Sequence, residues 1–334
     1  MPRVRELEVF RLVLPFGRKT ETLLVKLTDH GGMVGWGEAT APPAKAWSRL
    51  EETLAALLIG VDWEHPDTVP SGDSAVDMAC WDLWTKMRGV PLAEAIGGSR
   101  TSLMATVRLG PDTSVESLVS RVNRHICAGY GHVTLDVRPG WDVEPVRAVR
   151  QAYPALTLAV DCGNAYTDLG QLVALDSYGL EVIERPFAVT DVYSHAALQD
   201  QVAASVAVEV SSSAELDDFL TLRAARVLLL RPSAFPSLSE VRRAHDRAAA
   251  AGWDIQCTGG QGAGLARAAT VAVASLPGCT LPCDVTQPPR QNQIVTPVVG
   301  ANAGVIAVPL TRSGLGHDVD EQRLRRMTKE SFHA

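Results

Sequence analysis

The feature that most constrains this chain is a recurrence of short apolar runs beyond residue 100. They fall at 103–109, 132–137, 156–160, 180–183, 206–210, 227–230, 254–257 and about 279–282. Helical patterns lie between them, at 114–128, 142–152, 191–203, 213–223, 237–251 and 264–275. Short apolar runs suit parallel strands buried on both faces, and the segments between them are long enough for crossover helices. Eight strand-then-helix units predict an α/β fold closed into a modified (β/α)8 barrel of the TIM type. The alternative is an open doubly wound sheet, but no glycine-rich dinucleotide fingerprint follows an early strand. Gly259-Gly-Gln-Gly-Ala-Gly264 comes only after the seventh run. It suits a phosphate or carboxylate cradle at a helix start, with Gly259 and Gly260 touching substrate, or merely a tight turn.

The first hundred residues follow another pattern. Residues 3–14, 22–28 and 34–38 read as strands, with Asp29-His-Gly-Gly as a hairpin turn, and 44–58 and 74–87 read as helices. Ser71 or Asp73 can cap the second helix. The expected organisation is therefore an α+β capping domain at 1–98 with a three-stranded sheet, the barrel at 99–300, and a segment at 301–334 returning to the cap. A strand at 304–309 is the candidate for that return.

Bulk properties narrow the function. A chain of 334 residues that is 46% hydrophobic buries a large core, and a net charge of -7 without a basic stripe argues against nucleic-acid binding. Arg323-Leu-Arg325-Arg326 reads as a solvated helix face. No run approaches a membrane span, and no apolar stretch follows the first positive charges as in a signal peptide. The cysteines at 80, 127, 162, 257, 279 and 283 lack metal-knuckle spacing. These features lead us to expect a cytoplasmic protein with reduced thiols, acting on a small molecule rather than on nucleic acid or membrane.

Catalytic groups of a barrel sit at the C-terminal ends of its strands. On the second run His132, Thr134, Asp136 and Arg138 share one face, opposite Val133, Leu135 and Val137. Asp161, Glu184 and Glu209 end the third, fourth and fifth runs, Arg231 ends the sixth, and Asp284 follows the eighth. Three carboxylates one strand–helix unit apart repel unless neutralised. A hard divalent cation such as magnesium (Mg²⁺) takes oxygen ligands of this kind. The plainer alternative is that each is solvated or paired with a nearby arginine, Arg185 or Arg231.

Several motifs then add up. They are Gly35-Trp-Gly-Glu38, Ala79-Cys-Trp-Asp-Leu83, Gly89-Val-Pro-Leu92, Ile96-Gly-Gly98, Pro139-Gly-Trp-Asp142, Ile183-Glu-Arg-Pro186, Gly264-Leu-Ala-Arg-Ala-Ala269, Ala274-Ser-Leu-Pro277 and Gly314-Leu-Gly316. In this order they resemble the enolase superfamily, muconate-lactonizing-enzyme branch, and are especially similar to its o-succinylbenzoate synthase / N-acylamino acid racemase group. The resemblance implies a capping domain over a modified barrel. It also implies a homo-oligomer, and a Mg²⁺ ion that binds a substrate carboxylate and stabilises an enolate. Asp161, Glu184 and Glu209 match its ligand positions, the third of which is usually Asp in this group.

The acid–base positions depart from the family's. Its strand-two Lys-x-Lys falls on Thr134 and Asp136, its strand-six lysine on Arg231, and its strand-seven loop Glu on Gly262. The segments between Leu14 and Thr22 and from Ala39 to Asp73 are shorter than the resemblance implies. Three readings stay open. A metal-assisted lyase or isomerase would use Asp136 as base and Arg231 as clamp for cyclisation, dehydration, isomerisation or decarboxylation. A metal-independent enzyme would use Asp136 and Arg231 directly, paired or pinning a substrate, the acidic triad being a relic that has lost its ion. A non-catalytic binding or scaffold protein would keep Asp136 and Arg231 as a self-satisfied ion pair.

Overall fold

The computed structural model describes residues 2–14, 21–40, 47, 53–259, 262–285 and 290–334. Strands β1 (Val4–Val13), β2 (Glu21–Asp29) and β3 (Val34–Thr40) form an antiparallel sheet. The sheet has four strands rather than three, because Thr328–His333 pairs with the outer edge of β1. Residues 305–307 do not make that return. They pair instead with β4 (Ser102–Met104), burying Ile306 between exposed Val305 and Ala307. The short segment between Leu14 and Thr22 lies almost wholly outside the described residues. So does most of the helix expected at 44–58, of which 53–58 is helical.

Helix Ser74–Arg88 lies across β3. Asp73 caps it, accepting from the Ala75 and Val76 amides at 2.9 and 3.2 Å, and Gly89 ends it in the left-handed conformation. A Cβ on Gly37 would stand 1.8 Å from the Ala75 carbonyl oxygen, so only glycine lets strand and helix meet this closely.

The barrel strands are β5 (Val107–Leu109), β6 (His132–Asp136), β7 (Thr157–Asp161), β8 (Val182–Glu184), β9 (Ser205–Glu209), β10 (Val227–Leu230) and β11 (Asp254–Cys257). All neighbours in this order are parallel. The eighth strand is reduced to Cys283 and Asp284, which pair with Ala105 on one side and Thr258 on the other and close the barrel. It begins later than the expected 279–282 because Pro282 has no N–H to give, and the two paired residues follow it. Val182, Ala207, Val227 and Leu229 fill the interior. Below them a small cavity of mixed polar and apolar lining, including Thr106, His132, Thr157, Glu181, Leu281 and Gln256, puts His132 low in the barrel, away from the mouth.

Buried carboxylates fasten the cap to the barrel and to the C-terminal segment. Asp82 accepts from the Trp36 and Leu315 amides, both at 2.8 Å, and from Lys86 Nζ at 2.7 Å. Asp77 accepts from the Leu238 amide at 2.8 Å. Glu38 reaches the start of barrel helix Leu265–Ala274 and accepts from the Gly264 and Ala266 amides at 3.1 and 2.9 Å, from the Ala263 amide, and from Thr22 Oγ1 at 3.1 Å. The glycine-rich stretch is thus a carboxylate cradle at a helix start, and the carboxylate in it is the protein's own. A Cβ on Gly262 would stand 2.5 Å from Glu38 Oε1, so the missing side chain makes room for it. Glu38→Ala leaves those donors buried without an acceptor. It is expected to lower stability by roughly 3–5 kcal/mol in urea denaturation. A loss below about 1 kcal/mol would show that the joint is dispensable.

Candidate active site at the barrel mouth

The mouth is organised around Arg108 on β5, which the sequence does not single out. Thr106-Val107-Arg108-Leu109 alternates as the second run does: Val107 and Leu109 are buried in the core, and Arg108 turns into the mouth. Its guanidinium meets carboxylates from four other strand ends. Nε donates to Asp284 Oδ2 at 2.9 Å and Nη2 to Glu184 Oε2 at 2.5 Å. Nη1 donates to Asp161 and lies 3.5 Å from Asp136 Oδ1.

A second cation comes from Arg185. Its φ of 48° is a left-handed conformation uncommon for a bulky residue and costs about 1–2 kcal/mol. That turn, just before Pro186, brings the side chain to Asp161, with Nε donating to Oδ1 at 3.0 Å and Nη2 to Oδ2. Its Nη1 donates to Glu209 at 3.3 Å. Arg231 completes the set, with Nη2 at 3.0 Å from Glu209 Oε1 and 3.1 Å from Oε2.

The Asp136–Arg231 pair that two of the readings allow is therefore not made. Each finds a nearer partner on its own side of the barrel, Arg108 and Glu209 respectively. β6 and β10 are diametrically opposed, with three strands between them either way round. Asp136 is part-exposed, and its Oδ1 has no hydrogen-bond donor among the described residues; Arg231 Nε likewise lacks an acceptor. Thr134 is buried and donates to Glu184 Oε1 at 3.3 Å, so it orients that carboxylate instead of opening onto the mouth. Arg138 lies beyond the end of β6, exposed in a turn closed by Trp141. Gly259 spends its N–H on the Asp284 carbonyl at 2.7 Å, in the barrel closure, and so offers no free donor; Gly260 lies outside the described residues. Tyr166, in the loop after β7, is buried and donates to Asp142 rather than opening onto the mouth.

Charge balance sets the protonation. Among the described residues Asp136, Asp161, Glu184, Glu209 and Asp284 pair with Arg108, Arg185 and Arg231, and buried Arg267 adds a further positive charge beside Asp284. Burial pushes the enclosed Glu184 carboxyl up to about 7, against the pull of Arg108. Burial also raises Asp136, and Arg108 offsets this only in part. At Asp161 the guanidinia of Arg108 and Arg185 outweigh burial and hold the carboxyl below its usual range.

These residues do not fit a divalent cation. Mg²⁺ demands near-octahedral oxygen ligands at about 2.0–2.1 Å. Here the oxygens of Asp161 and Glu184 are turned to guanidinium N–H groups, and Glu209 is drawn to Arg185 and Arg231. Among the described residues no group of three or more His, Cys, Asp or Glu side chains is arranged to hold an ion.

Comparison with known proteins places this mouth in a lineage. Residues 15–97 match the N-terminal domain of the mandelate racemase / muconate lactonizing enzyme family, and residues 117–323 match the enolase C-terminal domain-like family. The chain belongs to the mandelate racemase / muconate lactonizing enzyme branch of the enolase superfamily. It is 33% identical to an o-succinylbenzoate synthase of Geobacillus kaustophilus, over 94% of this chain and 90% of the relative. It is also 33% identical to an N-succinylamino acid racemase of Thermus thermophilus, over 92% and 90%. A solved enolase-superfamily member from Listeria innocua superposes with a TM-score of 0.91 at 27% identity, covering 100% of this chain and 99% of that one. The α/β barrel with its antiparallel cap is the enolase-superfamily fold. Among the described residues no helix is long and apolar enough to cross a membrane.

The protonation gives a test. Ionising Glu184, whose folded value lies near 7 against 4.5 unfolded, costs the folded state. Stability is therefore expected to fall as pH rises from about 4.5 to about 7, by roughly 1–3 kcal/mol from this group. Asp161, held low, acts with the opposite sign only below that window. Glu184→Gln is expected to flatten the slope in denaturation followed across pH; an unchanged slope would place the proton elsewhere.

Proposed function

We propose that this chain is a lyase or isomerase that moves one proton on a small molecule bearing a carboxylate or carbonyl group, held in the barrel mouth. Asp136 is the acid–base group and Arg231 is the electrostatic clamp facing it. The observation that supports this reading is the asymmetry of the mouth. One wall carries a part-exposed carboxylate, Asp136, whose nearest cation is Arg108 at 3.5 Å and whose proton affinity is raised by burial, the direction a general base needs. The opposite wall carries a guanidinium, which stays charged at all ordinary pH values and binds a carboxylate or enolate oxygen through N–H donors.

In this reading Asp136 takes the proton beside the carbonyl or carboxylate. The electron pair moves onto that oxygen, against Arg231. The enolate then either expels a group from the next carbon, attacks within the molecule, or is reprotonated at another carbon. Racemisation, which needs a proton acceptor on both faces, suits this mouth poorly. The relatives' names, o-succinylbenzoate synthase and N-succinylamino acid racemase, both describe carboxylate-bearing succinyl compounds. They support an anionic acid as the substrate class, and the exposed Arg138 at the rim would add a further cation.

The test is hydrogen exchange at carbon. Succinyl-bearing acids incubated with the protein in D₂O are expected to gain deuterium beside the carboxyl or carbonyl, read by mass spectrometry. Asp136→Asn is expected to slow this by about 10²-fold or more. Exchange at the wild-type rate in that variant would place the base elsewhere.

A further inference from the structure

We propose that the Arg108 guanidinium occupies the position of the divalent ion that the family resemblance implies, as a built-in and permanent counter-charge. It stands independently of the reaction proposed above, because it concerns which cation the carboxylates hold and not what the mouth does to a substrate.

The geometry is that of one cation shared by a ring of anions. All three guanidinium nitrogens are engaged, and the carboxylates they meet come from β6, β7, β8 and the closing Cys283–Asp284 pair. Guanidinium presents five N–H donors in one plane and can serve several carboxylates together. Its contacts of 2.5 and 2.9 Å to Glu184 and Asp284 are hydrogen-bond lengths, longer than an Mg²⁺ ion requires of its oxygens. The charge of one arginine is half that of a divalent ion, and Arg185 supplies the remainder on the other side of Asp161.

Access points the same way. The Glu184 side chain is 0% exposed and that of Asp161 is 4%, so an ion entering from solvent reaches both only by displacing Arg108. Glu209, at the third ligand position, is held between Arg185 and Arg231. An arginine cannot dissociate or be chelated, and it stays protonated across the working pH range. The carboxylates so neutralised set the field in which Asp136 titrates, which makes Arg108 a positioning residue.

The experiment titrates Mn²⁺ into the purified full-length chain, followed by electron paramagnetic resonance, alongside thermal melts with Mn²⁺ and with EDTA. The wild type is expected to show no saturable binding that depends on Asp161, and no shift of Tm with either reagent. Arg108→Ser removes the internal cation and leaves the carboxylates facing a space. It is expected to bind one Mn²⁺ saturably, with Tm lowered in EDTA and rising with Mn²⁺ concentration. Saturable wild-type binding that Asp161→Asn abolishes would overturn the proposal. So would a folded Arg108→Ser variant that binds no Mn²⁺. If that variant folds only when Mn²⁺ is present, the proposal is supported. If it folds under neither condition, the wild-type titration decides, since binding lost in Asp161→Asn overturns the proposal and its absence supports it.

Discussion

Carboxylates delivered to one rim by neighbouring parallel strands repel each other, and a fold that places them there must also supply the opposite charge. In this protein Arg108 supplies it from within the barrel, on the strand that lies between β6 and the short closing strand. Its contacts tie Asp136, Asp161, Glu184 and Asp284 together and so link the ends of four barrel strands to a fifth. Removing one partner of a buried ion pair is far more destabilising than never having had the pair. The network therefore holds the rim in one arrangement. It also bears on where a proton stays, because among the described residues the five carboxylates outnumber Arg108, Arg185, Arg231 and the nearby Arg267.

The rest of the molecule serves this rim in a consistent way. The cap is fastened by carboxylates that accept backbone amides: Glu38 at the start of Leu265–Ala274 and Asp77 at Leu238 in the barrel, and Asp82 at Leu315 in the C-terminal segment. Glu38 uses space freed by Gly262, so a position where the resemblance implies a side chain for chemistry has become part of the joint between cap and barrel. β6 presents Asp136 and the opposed β10 presents Arg231; on the function proposed above, the first serves as base and the second, always charged, as clamp.

Much of the scaffold is legible in the chain because its signals are local. Apolar runs of strand length recur one strand–helix unit apart, and motifs such as Gly35-Trp-Gly-Glu38 and Gly314-Leu-Gly316 mark close contacts that only certain residues allow. The three carboxylates at 161, 184 and 209 are visible for the same reason, since each lies one strand–helix unit after the last, which puts them on one rim. Their partners are not visible. Which guanidinium reaches which carboxylate depends on side-chain directions across a closed barrel, and on a closing strand of two residues that periodicity alone does not locate. Arg108 was within reach, because Thr106-Val107-Arg108-Leu109 has the same period-two alternation that singles out Asp136. The strand at 305–307 goes to β4 and not to the cap because both candidate strands are short, and only tertiary packing selects between the edges they can join.

The most direct measurement of the central claim is an anomalous difference map from crystals grown with Mn²⁺. The account predicts no anomalous peak between Asp161 and Glu184, and guanidinium density for Arg108 in contact with both. A peak within ligand distance of the two carboxylates, with Arg108 swung out of the mouth, would contradict it.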